Sequence, residues 1–290
     1  MSEDVRGCLE LSRYAGWCDA ASRRLRGPSA EPGFSSEVHF RKKIRPGVRL
    51  PLSTLPRTFY FPSMPNRVRL ISLVLFLLTS WSYADHIIVT GGPALRQWEN
   101  LRVANDQHDR WWANFVRAST LRIAEIRKAY GPEAKIVWMV YQPGYQARGR
   151  EDGKPYTAWI AEQAAKRRAT LVWFNSTGNF IQALNSRPRG SIQSFDFFGH
   201  SNRYAFMFDY GNDIMAASTA WFHERDIPRV KAAVFDRNAY CKSWGCHTGE
   251  SMSAVWKRSL GIALEGARGP TSYVVVGQGK MPSVSGSWVR

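Results

Sequence analysis

From residue 85 onward the chain alternates between short continuous apolar runs and stretches in which apolar residues recur every third or fourth position. The first run, His86 to Gly92, ends in two glycines and reads as a buried strand. A helix is expected next, capped by Asn105 or Asp106, with Trp112, Phe115, Val116, Ser119, Ile123, Ile126 and Tyr130 on its inner face, and ended by Gly131-Pro132. Lys135–Tyr141 (KIVWMVY), Thr170–Phe174 and Ile192–Phe198 read as further strands. Tyr156–Arg168 reads as a helix with Trp159 and Ile160 inward, and Phe180–Leu184 as a short one. After a turn at Gly199 to Asn202 come a short strand at Tyr204–Phe208, a helix end or strand at Val230–Phe235, and a strand at Ala239–Gly245. A helix over Glu250–Leu260 is entered through Thr248-Gly249, and a last strand lies between Gly266 and Gly279. Parallel strands need crossover connections, so this order predicts a single three-layer α/β domain over residues 85–290 with a mainly parallel sheet.

The region before residue 85 has a different character. Arg67 and Arg69 precede an apolar run from Leu70 to Leu78, and Ser82-Tyr83-Ala84 follows it. A basic start, an apolar run too short for a comfortable membrane span and small residues before Asp85 are the marks of a secretory signal peptide over residues 64–84. Such a segment works at an N-terminus, so Met64 is the expected start. Residues 1–63 then read as an over-called upstream stretch, in which six prolines, the Arg41-Lys42-Lys43 cluster and the absence of apolar periodicity predict disorder. The acidic residues there, Glu3, Asp4, Glu10, Asp19, Glu31 and Glu37, argue against an organelle transit peptide. The expected location is outside the cytoplasm: periplasmic, cell-surface or secreted. The membrane is engaged only through the transient signal.

The full chain carries a net charge of +17, and residues 85–290 hold 27 Lys and Arg against 17 Asp and Glu, a net +10. Apart from Lys166-Arg167-Arg168 this excess is scattered, which suits a solvated surface and not a specific nucleic-acid groove. Two cysteines, Cys241 and Cys246, remain in the predicted domain, too few for a disulfide scaffold. Five apart on one predicted strand, they should face opposite sides of it. No HExxH or CxxC spacing, phosphate loop or dinucleotide fingerprint occurs, so neither metal nor cofactor is expected.

Candidate chemistry collects at two predicted strand ends. One is Phe198-Gly199-His200-Ser201-Asn202, and the other is Trp244-Gly245-Cys246-His247-Thr248-Gly249-Glu250. Carboxyl ends of parallel strands are where ligands and catalytic groups gather, and a thiol beside an imidazole is the minimum for nucleophilic acyl transfer. Gly199 and Gly245 are expected to permit sharp turns, and Gly249 to let the chain swing into the next helix. The amides of Ser201 and Cys246, with those of Thr248 to Glu250, are candidates for an oxyanion site that also lowers the thiol pKa. Thr271 and Tyr273 are given rim positions.

This pair of motifs resembles the caspase-like cysteine peptidase clan, in which one strand ends in His-Gly and a later strand in the nucleophilic Cys. It is most similar to bacterial relatives with a Gly-His turn followed by a Gly-Cys-x-x-Gly turn, such as the self-processing domains of large secreted toxins and some surface-protein domains. The resemblance covers about Phe195 to Val276 and implies a caspase-like fold, Cys246 as nucleophile, His200 as base and a peptide or protein substrate. Two departures stand out: Ser201 follows His200 where the clan usually has Gly, and His247 flanks Cys246.

The competing class is a surface or binding module with the same fold and no catalysis. A third reading, a serine α/β-hydrolase with Ser201 as nucleophile, suffers from Arg203 standing where the elbow needs Gly. N-terminal sequencing of protein recovered outside the cytoplasm is expected to begin at Asp85; a product that still contains Arg41-Lys42-Lys43 overturns the signal-peptide reading.

Overall fold

In a computed structural model of the chain, the described residues are 84–103, 107, 109–210 and 218–290. The predicted upstream segment, the signal peptide up to Tyr83 and the proposed caps Asn105 and Asp106 lie outside them. The strands are β1 (Asp85–Thr90), β2 (Lys135–Tyr141), β3 (Thr170–Phe174), β4 (Ile192–Phe198), β5 (His200–Ser201), β6 (Ala205–Met207), β7 (Trp221–His223), β8 (Phe235–Ser243), β9 (Leu264–Arg268), β10 (Thr271–Ser272), β11 (Ser283–Val284) and β12 (Ser287–Val289). The α-helices are α1 (Arg96–Glu99), α2 (Asn114–Tyr130), α3 (Gln142–Asp152), α4 (Tyr156–Lys166), α5 (Thr177–Asn185) and α6 (Met252–Leu260).

Seven strands form the central sheet in the order β12-β9-β8-β4-β1-β2-β3, with β12 antiparallel and the rest parallel. Alternate residues along β1 feed two cores. Ile87 and Val89 join Phe195, Phe197, α5 and α6 on one side, while Ile88 joins Trp138, Val140, α2 and α4 on the other. Two helical layers therefore cover one sheet, as parallel strands require. The chain winds outward from β1 to β3 and then restarts at β4 on the other side of β1. The direction of winding reverses between β1 and β4, and the carboxyl ends of such a strand pair are where ligands gather in open parallel sheets. Among the described residues no helix is long and apolar enough to cross a membrane.

Several local expectations are corrected. Helix α2 begins at Asn114, eight or nine residues beyond the proposed caps, and has no side-chain cap. Trp159 is 40% exposed, because α4 turns Ile160 and Ala164 inward instead. The Val274–Val276 run forms a 3-10 turn; the strands in that region are β9, whose LEGAR sequence lacks an apolar run, and the two-residue β10. At the sheet edge, the Lys242 ammonium lies 4.1 Å from the Trp244 ring and 3.9 Å from Trp288, with Glu265 at 2.7 Å, tying β12 to β8 by cation–π and ionic contacts.

His86 gives the fold a pH dependence. Its Nδ1 lies 2.9 Å from the buried Ser194 hydroxyl, and burial together with the nearby Arg122 charge pushes its pKa down to about 4. The folded state keeps this imidazole neutral where an unfolded one, titrating near ~6.5, takes up a proton. Its contribution to stability is whole above that value and is lost as pH falls toward about 4. Urea midpoints measured from pH 7.5 to 4.5 are expected to fall less steeply in His86→Asn than in the parent protein; parallel slopes would refute this assignment.

Candidate active site

The loop after β1 is built around a buried cation. Arg148, on α3, has no solvent exposure, and its Nε donates to Asp152 at 2.8 Å. Its Nη1 donates to the carbonyls of Ala94 (2.7 Å) and Asp109 (2.9 Å), stapling both ends of the loop to one helix. The backbone of the loop also packs closely on α3, where Gly92 and Gly144 meet so tightly that a Cβ on either would contact the other's backbone. Held in this way, Asp109 accepts hydrogen bonds through Oδ2 from the Ala94 amide (2.6 Å) and from His200 Nε2 (2.7 Å).

Burial pushes the Asp109 carboxyl up, but the His200 ring and the Ala94 amide outweigh it and hold the group below the usual carboxylate range. An ionised carboxylate only accepts hydrogen bonds, so the proton in this contact belongs to His200 Nε2. In the neutral form of the ring this places the lone pair on Nδ1. Phe115 supports the imidazole edge-on at 5.1 Å between centroids, and Tyr210 packs at 4.5 Å. Glu99 closes the back of the cluster by accepting from the Asp109 amide at 2.9 Å; burial and the neighbouring Asp109 carboxylate push its pKa up.

Cys246 follows β8, the parallel neighbour of β4, so it and His200 stand at the same edge of the sheet. Ser201 Oγ joins the two segments by donating to the Cys246 carbonyl at 2.7 Å. The thiol, partly buried, is held by the Thr271 amide at 3.2 Å and lies 3.4 Å from the Thr271 hydroxyl. Among the described residues no hydrogen bond joins it to His200. Burial pushes its pKa up and the Glu250 carboxylate adds to this, against the lowering effect of Thr271. The expectation of a lowered thiol pKa is therefore reversed. Tyr273 fills the space beside it: its ring meets Phe115 edge-on at 5.0 Å and its hydroxyl donates to the Trp244 carbonyl at 3.2 Å.

The sequence-predicted site residues take these places. His200 and Cys246 are brought to one rim. Gly199 and Gly245 stand at bends of the chain, as expected; with Gly249 they have ordinary φ, so glycine is required there for close packing and not for a left-handed backbone. A Cβ at Gly245 would run into the Ser201 hydroxyl, and one at Gly249 into Val289 and the Gly266 backbone. The left-handed residue of this turn is His247, at φ 62°. Ser201 sits in a short antiparallel pairing with Phe206, not at a strand-to-helix elbow, and its hydroxyl is committed to Cys246, which removes the serine-nucleophile reading. Cys241 is buried on β8 in the α5/α6 core, where burial pushes its thiol up; Cys246 lies past the strand, so strand parity never applied to the pair. Thr271, buried, and Tyr273 are wall residues and not rim. Asp109 was not anticipated: nothing in the local sequence marks it, since its partner is 91 residues away.

Comparison with known protein families, with curated proteins and with solved structures gave no match. Among the described residues no three His, Cys, Asp or Glu side chains converge on a point that a metal ion could occupy. What the arrangement offers chemically is an imidazole oriented by a carboxylate at the same sheet edge as a shielded thiol that burial keeps protonated. Alkylation of Cys246 by iodoacetamide is therefore expected to rise only above the pH at which an ordinary thiol, with pKa about 8.5, ionises. Rapid labelling near pH 6 would contradict the geometry.

Proposed function

We propose that residues 85–290 form an exported, caspase-like cysteine hydrolase that cleaves a peptide or related acyl bond. Cys246 is the nucleophile, His200 the general base and acid, and Asp109 the residue that orients it. The observation that carries the reading is the His200–Asp109 hydrogen bond of 2.7 Å at the carboxyl end of β4, beside the strand that leads to Cys246. It fixes the imidazole tautomer so that Nδ1 can accept a proton. The location outside the cytoplasm rests on the signal-peptide pattern; β1 begins at Asp85, directly after the expected cut, so cleavage there leaves the sheet whole.

In the proposed reaction the Cys246 thiol gives its proton to His200 Nδ1 as Sγ attacks the substrate carbonyl carbon. The tetrahedral intermediate collapses with loss of the amine, which leaves carrying that proton, and a thioester remains on Cys246. Water then attacks the thioester while Nδ1 takes its proton, the S–C bond breaks, and the thiolate is reprotonated from the imidazolium. The Asp109 carboxylate stabilises the imidazolium in both halves. Because burial keeps the thiol neutral, deprotonation and attack occur together instead of starting from a resting thiolate. Attack also requires the thiol to leave its Thr271 donors.

The test is labelling of the purified protein with an acyl-type thiol-reactive probe, together with turnover of a peptide library. Cys246→Ser and His200→Ala are each expected to abolish turnover; Cys246→Ser is expected to keep the thermal midpoint near that of the parent, whereas His200→Ala takes the imidazole from the buried Asp109 carboxylate and is expected to lower it, so the retained fold of that variant is checked by circular dichroism. Asp109→Asn is expected to lower turnover by about two to four orders of magnitude, the scale associated with a mis-set tautomer. Labelling of Cys246 only after denaturation would end the enzyme reading and leave a caspase-like binding or surface module.

A further inference from the structure

The environment of Cys246 includes a device that the proposed chemistry does not use. Glu250 connects three segments that meet at the thiol. Its Oε1 bonds His247 Nδ1 at 2.5 Å and accepts from the Gly269 amide at 3.1 Å, and its Oε2 accepts from Arg203 Nη2 at 3.1 Å. A reciprocal bond runs from the His247 amide to the Gly269 carbonyl at 3.0 Å. Gly269 stands two residues before Thr271, whose amide and hydroxyl hold the thiol. The carboxylate therefore anchors the segment that covers Cys246, the residue that follows Cys246, and the hairpin that carries His200.

We infer that Glu250 is the bolt of a latch that keeps Cys246 in a closed resting state, the Gly269–Thr271 segment being the bar. The inference deepens the hydrolase reading and rests on it for its purpose, which is regulation of the nucleophile. Three observations support a latch over simple reinforcement. The closed thiol is bonded to Thr271 and not to His200, so the bar has to shift before attack. His247 holds a left-handed backbone at φ 62°, a conformation disfavoured for a non-glycine residue, and the bonds to Gly269 and Glu250 keep it there. All three charged or polar members reach solvent: Arg203 is 54% exposed, His247 23% and Glu250 22%. The latch thus lies on the lip of the site, where it opens without disturbing either core.

Opening acts on the thiol in one direction. Loss of the carboxylate removes a like charge that opposes thiolate formation, and release of the bar uncovers Sγ. Both accelerate alkylation.

The experiment is iodoacetamide labelling of the full chain at pH 7.5, with the peptides containing Cys246 and Cys241 quantified separately by mass. Glu250→Ala is expected to label Cys246 about tenfold faster or more than the parent. Glu250→Gln, whose amide oxygen still accepts from Gly269, is expected to fall between the two. Cys241, in the core, reports global opening and is expected to stay unlabelled in all three. An unchanged or slower rate at Cys246, or labelling of Cys241 that rises in step with it, overturns the latch. The hydrolase reading is judged apart from this result: faster labelling without turnover in any variant keeps the latch and ends the hydrolase, whereas an unchanged rate in a protein that turns over peptide does the reverse.

Discussion

A fully buried guanidinium is costly unless its charge is paired and its donors find acceptors, and Arg148 draws both from the helix that carries it and the loop packed against that helix. Asp152 supplies the charge; the carbonyls of Ala94 and Asp109 take the Nη1 donors, and Nη2 reaches toward the Arg110 carbonyl at 3.5 Å. The loop after β1 is thereby fixed at two points that no apolar contact would define as sharply. Asp109 faces across the reversal point of the sheet, His200 is held in one tautomer, and the site inherits its geometry from an ion pair that itself touches neither His200 nor Cys246. Removing the guanidinium alone would take this donor from the two buried carbonyls and leave the Asp152 carboxylate to Arg96 Nε and the Tyr156 hydroxyl, each at 2.7 Å.

The central strands were legible because parallel strands buried on both faces are rich in large apolar residues: KIVWMVY is nearly unbroken, and Ile192–Phe198 keeps Ile192, Phe195, Phe197 and Phe198 around Gln193, Ser194 and Asp196. Helix α3 was not legible. Its sequence, QPGYQARGRED, holds two glycines and no apolar stripe, and it is helical because Tyr145 and Arg148 are buried at tertiary contacts and Pro143 suits a first turn. The Val274–Val276 run misled in the opposite sense, since β-branched residues favour strands only when a neighbouring strand is present to pair with. At the site, His200 and Cys246 were marked by strand ends and glycines. Asp109 and Thr271 reach the same place through loops of high sequence separation, and no local spacing encodes such a meeting.

The chemistry of the candidate site is divided between two opposed environments. On the β4 side a carboxylate below its usual range steadies an imidazole. On the β8 side burial and a nearby carboxylate keep a thiol protonated. The two sides are linked through backbone and hydroxyl contacts instead of a direct bond, so each can be tuned without collapsing the other. Such a division suits a nucleophile that is kept inert until its surroundings shift, and it separates the residues that make the site reactive from those that hold it back.

Gly245 and Ser201 show how narrow the joint between the two sides is. The Ser201 hydroxyl occupies the volume that a side chain at position 245 would need, and from there it reaches the Cys246 carbonyl. A side chain is tolerated at one of these positions only while the other offers room. A methyl group at position 245 would therefore displace the hydroxyl, and with it the bond that couples the strand end of His200 to the turn of Cys246.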